Sequence, residues 1–233
     1  VASNVIVYYN LRTCDDFHVN IRKTGGTLAS ACAWPLPGGT GHIDAEPDFM
    51  DLAAGDFALA PGSACIDAAP LLADVATDRD GSPRPRDGDA VPGNLADLGA
   101  YEAAPLTGGL FRCNFKTPTN QAVDALSAIL TAVVAGPMTN GLYFWWDTDG
   151  DELTDDQGPA LAVKAVDYPA GIFSPGLTVT NGVGETASIR KTDYIRVFPD
   201  SVYVATNGTG VFPYDTWGKA TTNLREAVAA ADG

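Results

Sequence analysis

Short apolar segments broken by glycine and proline occupy residues 41–67, and they limit what this chain can fold into more than any other feature. Phe49, Phe57, Leu59 and Ile66 have the spacing of inward-facing positions on short strands. The glycines and prolines between them force turns, so the strands are expected to stack in layers. A single layer cannot bury its apolar face without neighbours. We therefore expect an all-β structure in which this segment depends on further layers.

Four sub-motifs in a fixed order make this pattern more specific. They are Pro47-Asp48-Phe49-Met50-Asp51, the segment from Gly55 to Asp67, the segment from Asp78 to Arg84, and Asp97-Leu98-Gly99-Ala100-Tyr101-Glu102. In this order they resemble the C-terminal end of secreted bacterial right-handed parallel β-helix proteins, where such a series closes the solenoid. The resemblance implies that residues 1–104 form the last rungs and the closing segment of a β-helix.

A second pattern begins after a short linker at residues 103–109. The stretch 111–198 resembles a PKD-type immunoglobulin-like β-sandwich, and the match rests on Phe144–Asp151 and Tyr168–Asn181. The resemblance assigns residues 105–199 to a sandwich that serves as a spacer or adhesion module rather than as an enzyme.

Local patterns within this region lead to three further expectations. Trp146 matches the core position of the sandwich, whereas Trp145 points to the opposite face of the strand and is suited to a surface contact. Residues 122–135 also satisfy a helical template. We predict a strand from Ser127 to Ala135 instead, because it ends in Gly136-Pro137 and its alternate residues can form one buried face.

Residues 200–233 change character again. The segments Ser201–Gly210 and Pro213–Trp217 resemble the opening of a β-helix domain, which supplies a first strand and an N-terminal capping helix. The sequence thus begins with a pattern typical of the end of a β-helix and finishes with a pattern typical of the start of one.

The C-terminal helix is predicted on independent grounds over Ala220–Ala231. Leu224, Val228 and Ala231 share one helical face in Ala-rich surroundings. Gly233 provides a stop signal, and either Thr221 or Thr222 provides an N-cap.

An acidic turn is the main candidate for metal binding. Asp147, Asp149, Asp151, Asp155 and Asp156 lie close together in the sequence. Their spacing resembles a calcium loop, since a hard cation favours several converging carboxylate and carbonyl oxygens. The bidentate glutamate of a full EF-hand loop is absent. A solvated acidic hairpin is the alternative, because aspartate and glycine are ordinary turn residues.

A second acidic segment, Asp78-Arg79-Asp80-Gly81, is predicted to be a turn without a metal. Arg79 interrupts the negative charge of this segment. The sequence therefore points to a structural role in the chain reversal rather than to cation binding.

The balance of acidic and basic residues favours some classes of function over others. Lysine and arginine number 14 against 29 acidic residues, for a formal charge of −15. No basic cluster follows a phosphate backbone, so nucleic-acid binding is not expected. No apolar run reaches the length of a membrane span. The absence of a signal-peptide pattern at Val1 indicates a processed product or a piece of a longer chain. Such an acidic composition, rich in glycine and proline, favours an extracellular or cell-surface location.

The four cysteines are Cys14, Cys32, Cys65 and Cys113, and none forms a C-x-x-C pair. This favours disulfides over zinc or a redox motif. We expect Cys14–Cys32 and Cys65–Cys113, which link neighbours along the chain; buried free thiols are the alternative.

No catalytic motif emerges from the sequence. His18 and His42 have no spacing typical of a metal site or of a nucleophile. Ser63 lacks the second glycine of a nucleophile elbow and is predicted to be a turn residue. We therefore predict that the chain is not an enzyme.

The functional hypothesis is a secreted structural subunit or repeat that assembles head to tail into a filament, stalk or adhesin. In it, Pro199–Gly233 of one copy completes the unfinished β-helix of the next copy, at residues 1–67. The alternative is a non-catalytic accessory fragment of a large secreted β-helix protein that binds or degrades polysaccharide. A polysaccharide is therefore a second candidate partner.

Overall fold

The computed structural model describes residues 2–8, 28–33, 40–88, 95–105, 111–136 and 139–232. The fold is predominantly β, with 39% of residues in strands, and the described sheets do not close into a barrel. The all-β expectation is confirmed at this level. The chain forms two compact units, one built from Val1–Asn114 with Val134–Thr139 and the other from Phe115–Val133 with Asn140–Gly233. The finer division into three predicted parts stays a prediction.

The first unit contains a parallel ladder. Strand β1 (Ala2–Val7) pairs in parallel with β2 (Leu28–Ala33), in a register that aligns the first and last residues of the two strands. A third layer joins at Ile43, whose N–H donates to the Ala31 carbonyl at 2.8 Å and whose carbonyl accepts from the Ala33 N–H at 2.9 Å. Parallel neighbours cannot be joined by a tight hairpin, so a crossover connection separates each layer from the next along the chain.

The three layers bend at the same place. Asn4, Ser30 and Gly41 have positive φ angles of 55°, 50° and 73°. The strand register places Asn4 beside Ser30, and the Cys32–Ile43 bridge aligns Ser30 with Gly41. A positive φ is uncommon for residues other than glycine. Its repetition at one ladder position therefore creates a column of aligned corners.

A hairpin and a compact core complete the described part of this unit. Strand β3 (Phe49–Asp51) pairs with β4 (Asp56–Leu59) in antiparallel fashion. The core cluster consists of the buried residues Cys32, Leu59, Cys65, Ala69 and Leu98.

The prediction that Phe57 faces inward is wrong. Its side chain is 43% exposed and makes an edge-to-face contact with Phe49, with ring centroids 5.5 Å apart. The hairpin lies where no further described layer covers it. Phe57 therefore stays at the surface, although it alternates correctly with the buried Leu59 on β4.

The chain from Arg112 to Phe198 consists mainly of short antiparallel strands, most of which lie wholly within the second unit. They are β5 (Arg112–Lys116), β6 (Gln121–Val123), β7 (Ala125–Ala135), β8 (Tyr143–Asp147), β9 (Asp156–Gly158), β10 (Val163–Pro169), β11 (Gly171–Phe173), β12 (Gly176–Thr180), β13 (Thr186–Arg190) and β14 (Ile195–Phe198). They form three sheets with the orders β10-β7-β5, β11-β14-β6 and β13-β12-β8-β9. The β6–β14 pair is parallel.

The core of the second unit confirms two expectations. Trp146 is fully buried, its indole N–H donates to the Leu161 carbonyl at 2.8 Å, and Phe115 packs against it edge to face. The strand predicted from Ser127 to Ala135 is present as β7. Leu126, Ala128 and Leu130 are its most buried residues, so the buried face begins nearer the amino end than the sequence indicated.

The end of the chain folds into loops and one helix, α1 (Leu224–Asp232). A parallel bridge joins Val204 to Thr221. The helix is confirmed, but it starts later than the predicted Ala220, and the predicted threonine cap is wrong. Asn223 is the cap, because its Oδ1 accepts from the Arg225 N–H at 3.0 Å. Thr221 instead binds the Asn223 N–H and the Glu226 carboxylate.

Among the described residues, no helix combines the length and apolar character that a bilayer crossing requires.

Candidate assembly surfaces and cation loop

The sub-motifs between Asp67 and Glu102 meet in one buried polar network. The Glu102 carboxylate accepts from Arg84 Nε at 2.6 Å, from the Arg86 N–H at 2.9 Å and from the Asp97 N–H at 3.0 Å. Arg84 Nη2 also donates to the carbonyls of Asp97 and Gly99, at 2.9 and 3.0 Å. The Arg84 guanidinium and the Glu102 carboxylate therefore connect several turns through hydrogen bonds.

Asp97 anchors the other half of this network. Its Oδ1 accepts from the Asp67 N–H at 2.7 Å, and its Oδ2 accepts from the Ala103 N–H at 2.5 Å. Burial raises the pKa of Asp97 to about 7, with a smaller contribution from the nearby carboxylates of Glu102 and Asp67, while the two N–H bonds act in the opposite direction. Such a carboxyl group titrates near neutral pH although it is shielded from solvent.

Asp78 shows why its segment forms a turn. Burial alone would raise its pKa, but N–H bonds from Glu102, Ser82 and Asp80 outweigh that effect and lower the pKa. The Gly81 N–H closes the turn on the Asp78 carbonyl at 3.2 Å. The turn predicted for residues 78–81 is confirmed, and its carboxylate is used for backbone hydrogen bonds.

An apolar cavity opens on the first unit beside β1. Its volume is about 660 Å³, and its lining includes Ile6, Phe49, Leu52, Phe57 and Leu98. Leu52 and Phe57 are exposed. In the described part of the chain, β1 is also the outermost strand of its sheet. Part of this edge is already paired, because the Gly99 N–H donates to the Asn4 carbonyl at 3.2 Å. The ladder therefore presents apolar side chains and a partly covered strand edge at the same end.

The C-terminal segment of the second unit carries an exposed apolar stripe. Leu224 is 68% exposed and Val228 is 50% exposed, whereas the small residues Ala227 and Ala230 face inward. The predicted face of α1 exists, but it points to solvent. Trp217 is also 67% exposed, although the sequence placed it within the capping segment.

The acidic loop brings together three of the five predicted carboxylates. One oxygen from each of Asp147, Asp149 and Asp151 lies within 4.8 Å of the others. Gly150 is required between them, because its φ is 88° and a Cβ there would lie 2.8 Å from the Ser174 carbonyl oxygen.

The other two predicted ligands have different partners. Asp155 Oδ2 accepts from both the N–H and the hydroxyl of Thr148 at 2.6 Å, and these bonds lower its pKa. Asp156 pairs with Lys164 at 2.8 Å, which lowers the pKa of Asp156.

The chemistry of the loop is only a partial fit to calcium. Three oxygens converge as a hard cation requires, but Arg190 Nη2 already lies 2.5 Å from Asp147 Oδ2. The N–H groups of Gly150 and Glu152 also bind the two oxygens of Asp147. No local sequence pattern points to Arg190, which comes from β13, 43 residues away along the chain. The calcium site stays a prediction.

A fourth surface lies on the sheet β13-β12-β8-β9. Tyr143 and Trp145 are neighbours on one face of β8, with ring centroids 4.6 Å apart. The strand register continues from Trp145 across β12 to β13, where the hydroxyls of Thr178 and Ser188 lie 2.9 Å apart. A depression of about 260 Å³ beside Trp145 includes these two hydroxyl residues in its lining. The expected outward orientation of Trp145 agrees with this arrangement.

The described histidine, serine and cysteine candidates lie in the first unit. His42 Nδ1 accepts from the Ala31 N–H at 3.3 Å. Ser63 Oγ donates to the Pro47 carbonyl and accepts from the Cys65 N–H, as expected of a turn-stabilising residue. His18 and Cys14 lie outside the described residues. Cys32, Cys65 and Cys113 are free, buried thiols in the structure, so the predicted Cys65–Cys113 disulfide is not formed there. Cys65 lies instead in the same core cluster of the first unit as Cys32.

No protein-family model matches this chain, and no curated protein matches it.

Proposed function

We propose that this chain is an extracellular structural subunit or repeat that assembles head to tail into a filament, stalk or adhesin. One observation carries the proposal: the parallel ladder of the first unit, with its aligned corners at Asn4, Ser30 and Gly41. Successive circuits that repeat the same bend are typical of a solenoid. A solenoid layer is stable when another layer covers it.

The end of this ladder is suited to accepting a further layer. It combines the outer strand β1, whose Asn4 carbonyl already accepts from the Gly99 N–H, with a cavity that is lined by apolar side chains, including exposed Leu52 and Phe57. Adding a strand to an exposed edge supplies backbone hydrogen bonds, and apolar pockets supply specificity. Exposed edges that stay uncovered are hazards for uncontrolled association.

Residues 199–233 of another copy are the proposed donor. This segment carries a parallel bridge of its own and the exposed apolar stripe of α1, at Leu224 and Val228. Because donor and acceptor are different surfaces, the contact is heterologous and continues from copy to copy. The strongly acidic composition favours an extracellular setting.

Sedimentation velocity and negative-stain electron microscopy of the full chain test this proposal. We expect elongated polymers of the full chain and monomers after deletion of residues 200–233. Val228→Glu should block polymerisation, since it places a charge on the exposed stripe. Ala229→Glu adds the same charge at the next exposed position and should leave polymers intact.

A matched pair on the acceptor side completes the test. Leu52→Glu alters an exposed side chain of the cavity, and Ala53→Glu adds a charge next to it. Polymers that survive both Val228→Glu and Leu52→Glu, with both variants folded by circular dichroism, would rule out the proposed contact.

A second candidate function is polysaccharide binding by an accessory module. The observation that favours it is the surface of Tyr143 and Trp145, continued by the hydroxyls of Thr178 and Ser188. Aromatic faces and hydroxyl rows are suited to the apolar faces and hydroxyls of sugars.

Affinity electrophoresis of the full chain against a panel of soluble neutral and acidic polysaccharides tests this candidate. A retarded band that Trp145→Ala releases would support it. Trp217→Ala, which removes another exposed tryptophan, is the control and should not change the retardation. Equal mobility on every polysaccharide would reject the candidate.

A further inference from the structure

Two thiols from distant parts of the chain meet in the core of the first unit. Cys32 lies on β2, and Cys65 lies in the turn that follows β4. Both side chains are fully buried and belong to the same apolar cluster. Both are free thiols in the structure, and they pack in this one cluster.

The surroundings hold both thiols in place. Cys32 Sγ donates to the Ala45 carbonyl at 3.2 Å. The Cys65 N–H donates to Ser63 Oγ at 3.1 Å, and that hydroxyl in turn donates to the Pro47 carbonyl. Both cysteines are therefore held in place by hydrogen bonds to neighbouring groups.

We propose that Cys32 and Cys65 form a disulfide that ties the parallel ladder to the closing turns of the first unit. This pairing differs from the chain-neighbour pairing that the sequence suggested. Cysteines that are close in sequence need not be close in space, and β2 carries Cys32 directly against the turn of Cys65.

The reaction is a thiol–disulfide exchange with a small-molecule disulfide. The Cys65 thiolate attacks one sulfur of the oxidant, forming a mixed disulfide and releasing one thiol. The Cys32 thiolate then attacks the sulfur of Cys65, forming the protein disulfide and releasing the second thiol. Two protein thiols are oxidised and one oxidant disulfide is reduced to two thiols, with the two protons passing to the released thiolates.

The neighbouring Cys65 thiol and burial both raise the pKa of Cys32, so Cys32 stays protonated in the folded unit. Because both sulfurs are shielded in the folded unit, exchange takes place during folding or local opening.

Peptide mapping of the full chain tests the pairing directly. The reduced, denatured protein is refolded in oxidised and reduced glutathione, blocked with iodoacetamide and cleaved with trypsin. Trypsin leaves Cys32 and Cys65 on one peptide, residues 24–79, and leaves Cys14 and Cys113 on separate peptides, residues 13–22 and 113–116. We expect peptide 24–79 to lack both alkyl groups and two hydrogens.

Further cleavage at Met50 with cyanogen bromide should give two fragments that separate only after reduction. Peptide 24–79 joined to 13–22 or to 113–116 would overturn the proposal, as would full alkylation of Cys32 and Cys65. Neither outcome depends on a variant that has to fold.

The change in Tm on reduction shows whether the disulfide stabilises the native fold. Adding a reductant should lower the Tm of the oxidised chain by about 10 °C. Cys113→Ser, the matched control, should keep this shift, and Cys65→Ser should lose it. An unchanged Tm on reduction of a chain with the mapped Cys32–Cys65 link would contradict a stabilising native bond.

Discussion

At the scale of the residue, the most demanding feature is a charged pair kept away from water. Arg84 and Glu102 lie 2.6 Å apart with side chains that are 9% and 0% exposed. Burying both charges is costly unless their hydrogen bonds are complete, and here each partner makes several. The motif residues that carried the β-helix resemblance are therefore structural.

Removing one partner of this pair should destabilise the first unit strongly. We expect Arg84→Met to lower the free energy of unfolding by roughly 3–5 kcal/mol, because the Glu102 charge stays buried without its partner. Urea denaturation followed by circular dichroism measures the change. Arg79→Met is the control: Arg79 bonds to the Tyr101 hydroxyl at an exposed site and should cost about 1 kcal/mol or less. Equal losses in the two variants would refute the special role of the buried pair.

The pH dependence of stability should report on Asp97. The pKa of its carboxyl is raised from 3.8 to about 7 in the folded unit, so the folded state holds the proton more tightly than the unfolded state does. This contribution is fully present below pH 3.8 and is lost as pH rises through about 7. We expect the free energy of unfolding to fall by on the order of 2–4 kcal/mol over that range.

Asp97→Asn checks this expectation, because it cannot titrate. Urea midpoints measured between pH 4 and pH 8 should decline for the natural chain and be flatter for the variant. Asp78 acts in the opposite sense, since its lowered pKa stabilises the fold above pH 3.8 and that stability is lost as pH falls below it. A natural chain whose stability rises steadily from pH 4 to pH 8 would contradict the buried state of Asp97.

At the scale of the element, β7 shows how alternation overrides local propensity. Leu130 is fully buried, and its neighbour Ile129 is 51% exposed. Leu130→Ala should cost about 2–5 kcal/mol, as is usual for a core truncation. Ile129→Ala should cost less than about 1 kcal/mol, because the removed atoms already contact water. Chemical denaturation of the two variants measures the contrast, and similar costs would mean that the register of β7 is different.

The acidic loop should bind calcium weakly if the predicted site forms. We expect a dissociation constant of about 10⁻⁴–10⁻³ M by isothermal titration calorimetry, because Arg190 already neutralises Asp147. Asp149→Asn should abolish the heat signal, since it removes one converging carboxylate. Asp200→Asn, an exposed aspartate outside the loop, should leave the signal unchanged. The absence of any heat with the natural chain would identify the loop as a solvated hairpin.

The elements that were predicted correctly are those with a local cause. The strand at β7 and the burial of Trp146 follow from alternation, and the turn at residues 78–81 follows from aspartate and glycine. The cap of α1 was missed because Asn223 and Thr221 offer similar side-chain oxygens, and the Val204–Thr221 bridge decides between them. The salt bridge of Arg190 depends on strand pairing, which local sequence does not determine.

At the scale of the whole molecule, net charge governs how copies can meet. The formal charge is −15, so two copies repel each other at low ionic strength. We expect polymer growth to become faster as NaCl is raised from 10 to 150 mM, because the Debye length falls from about 30 Å to about 8 Å. Light scattering at fixed protein concentration measures the rate. Slower growth in salt would indicate that attraction between charges, rather than apolar contact, drives assembly.

The aligned corners of the ladder also restrict the sequence of any strand that would pair with it. A chain that slid by one residue along β1 would place Val5 or Ser3 at the bend, where a positive φ is unfavourable, and valine, being branched at Cβ, would be strained most. A strand that joins the stack in register must present glycine, asparagine or another residue tolerant of that angle at one defined position. The two strands and the segment at Gly41 therefore define, by their backbone angles alone, the register that a further strand can adopt.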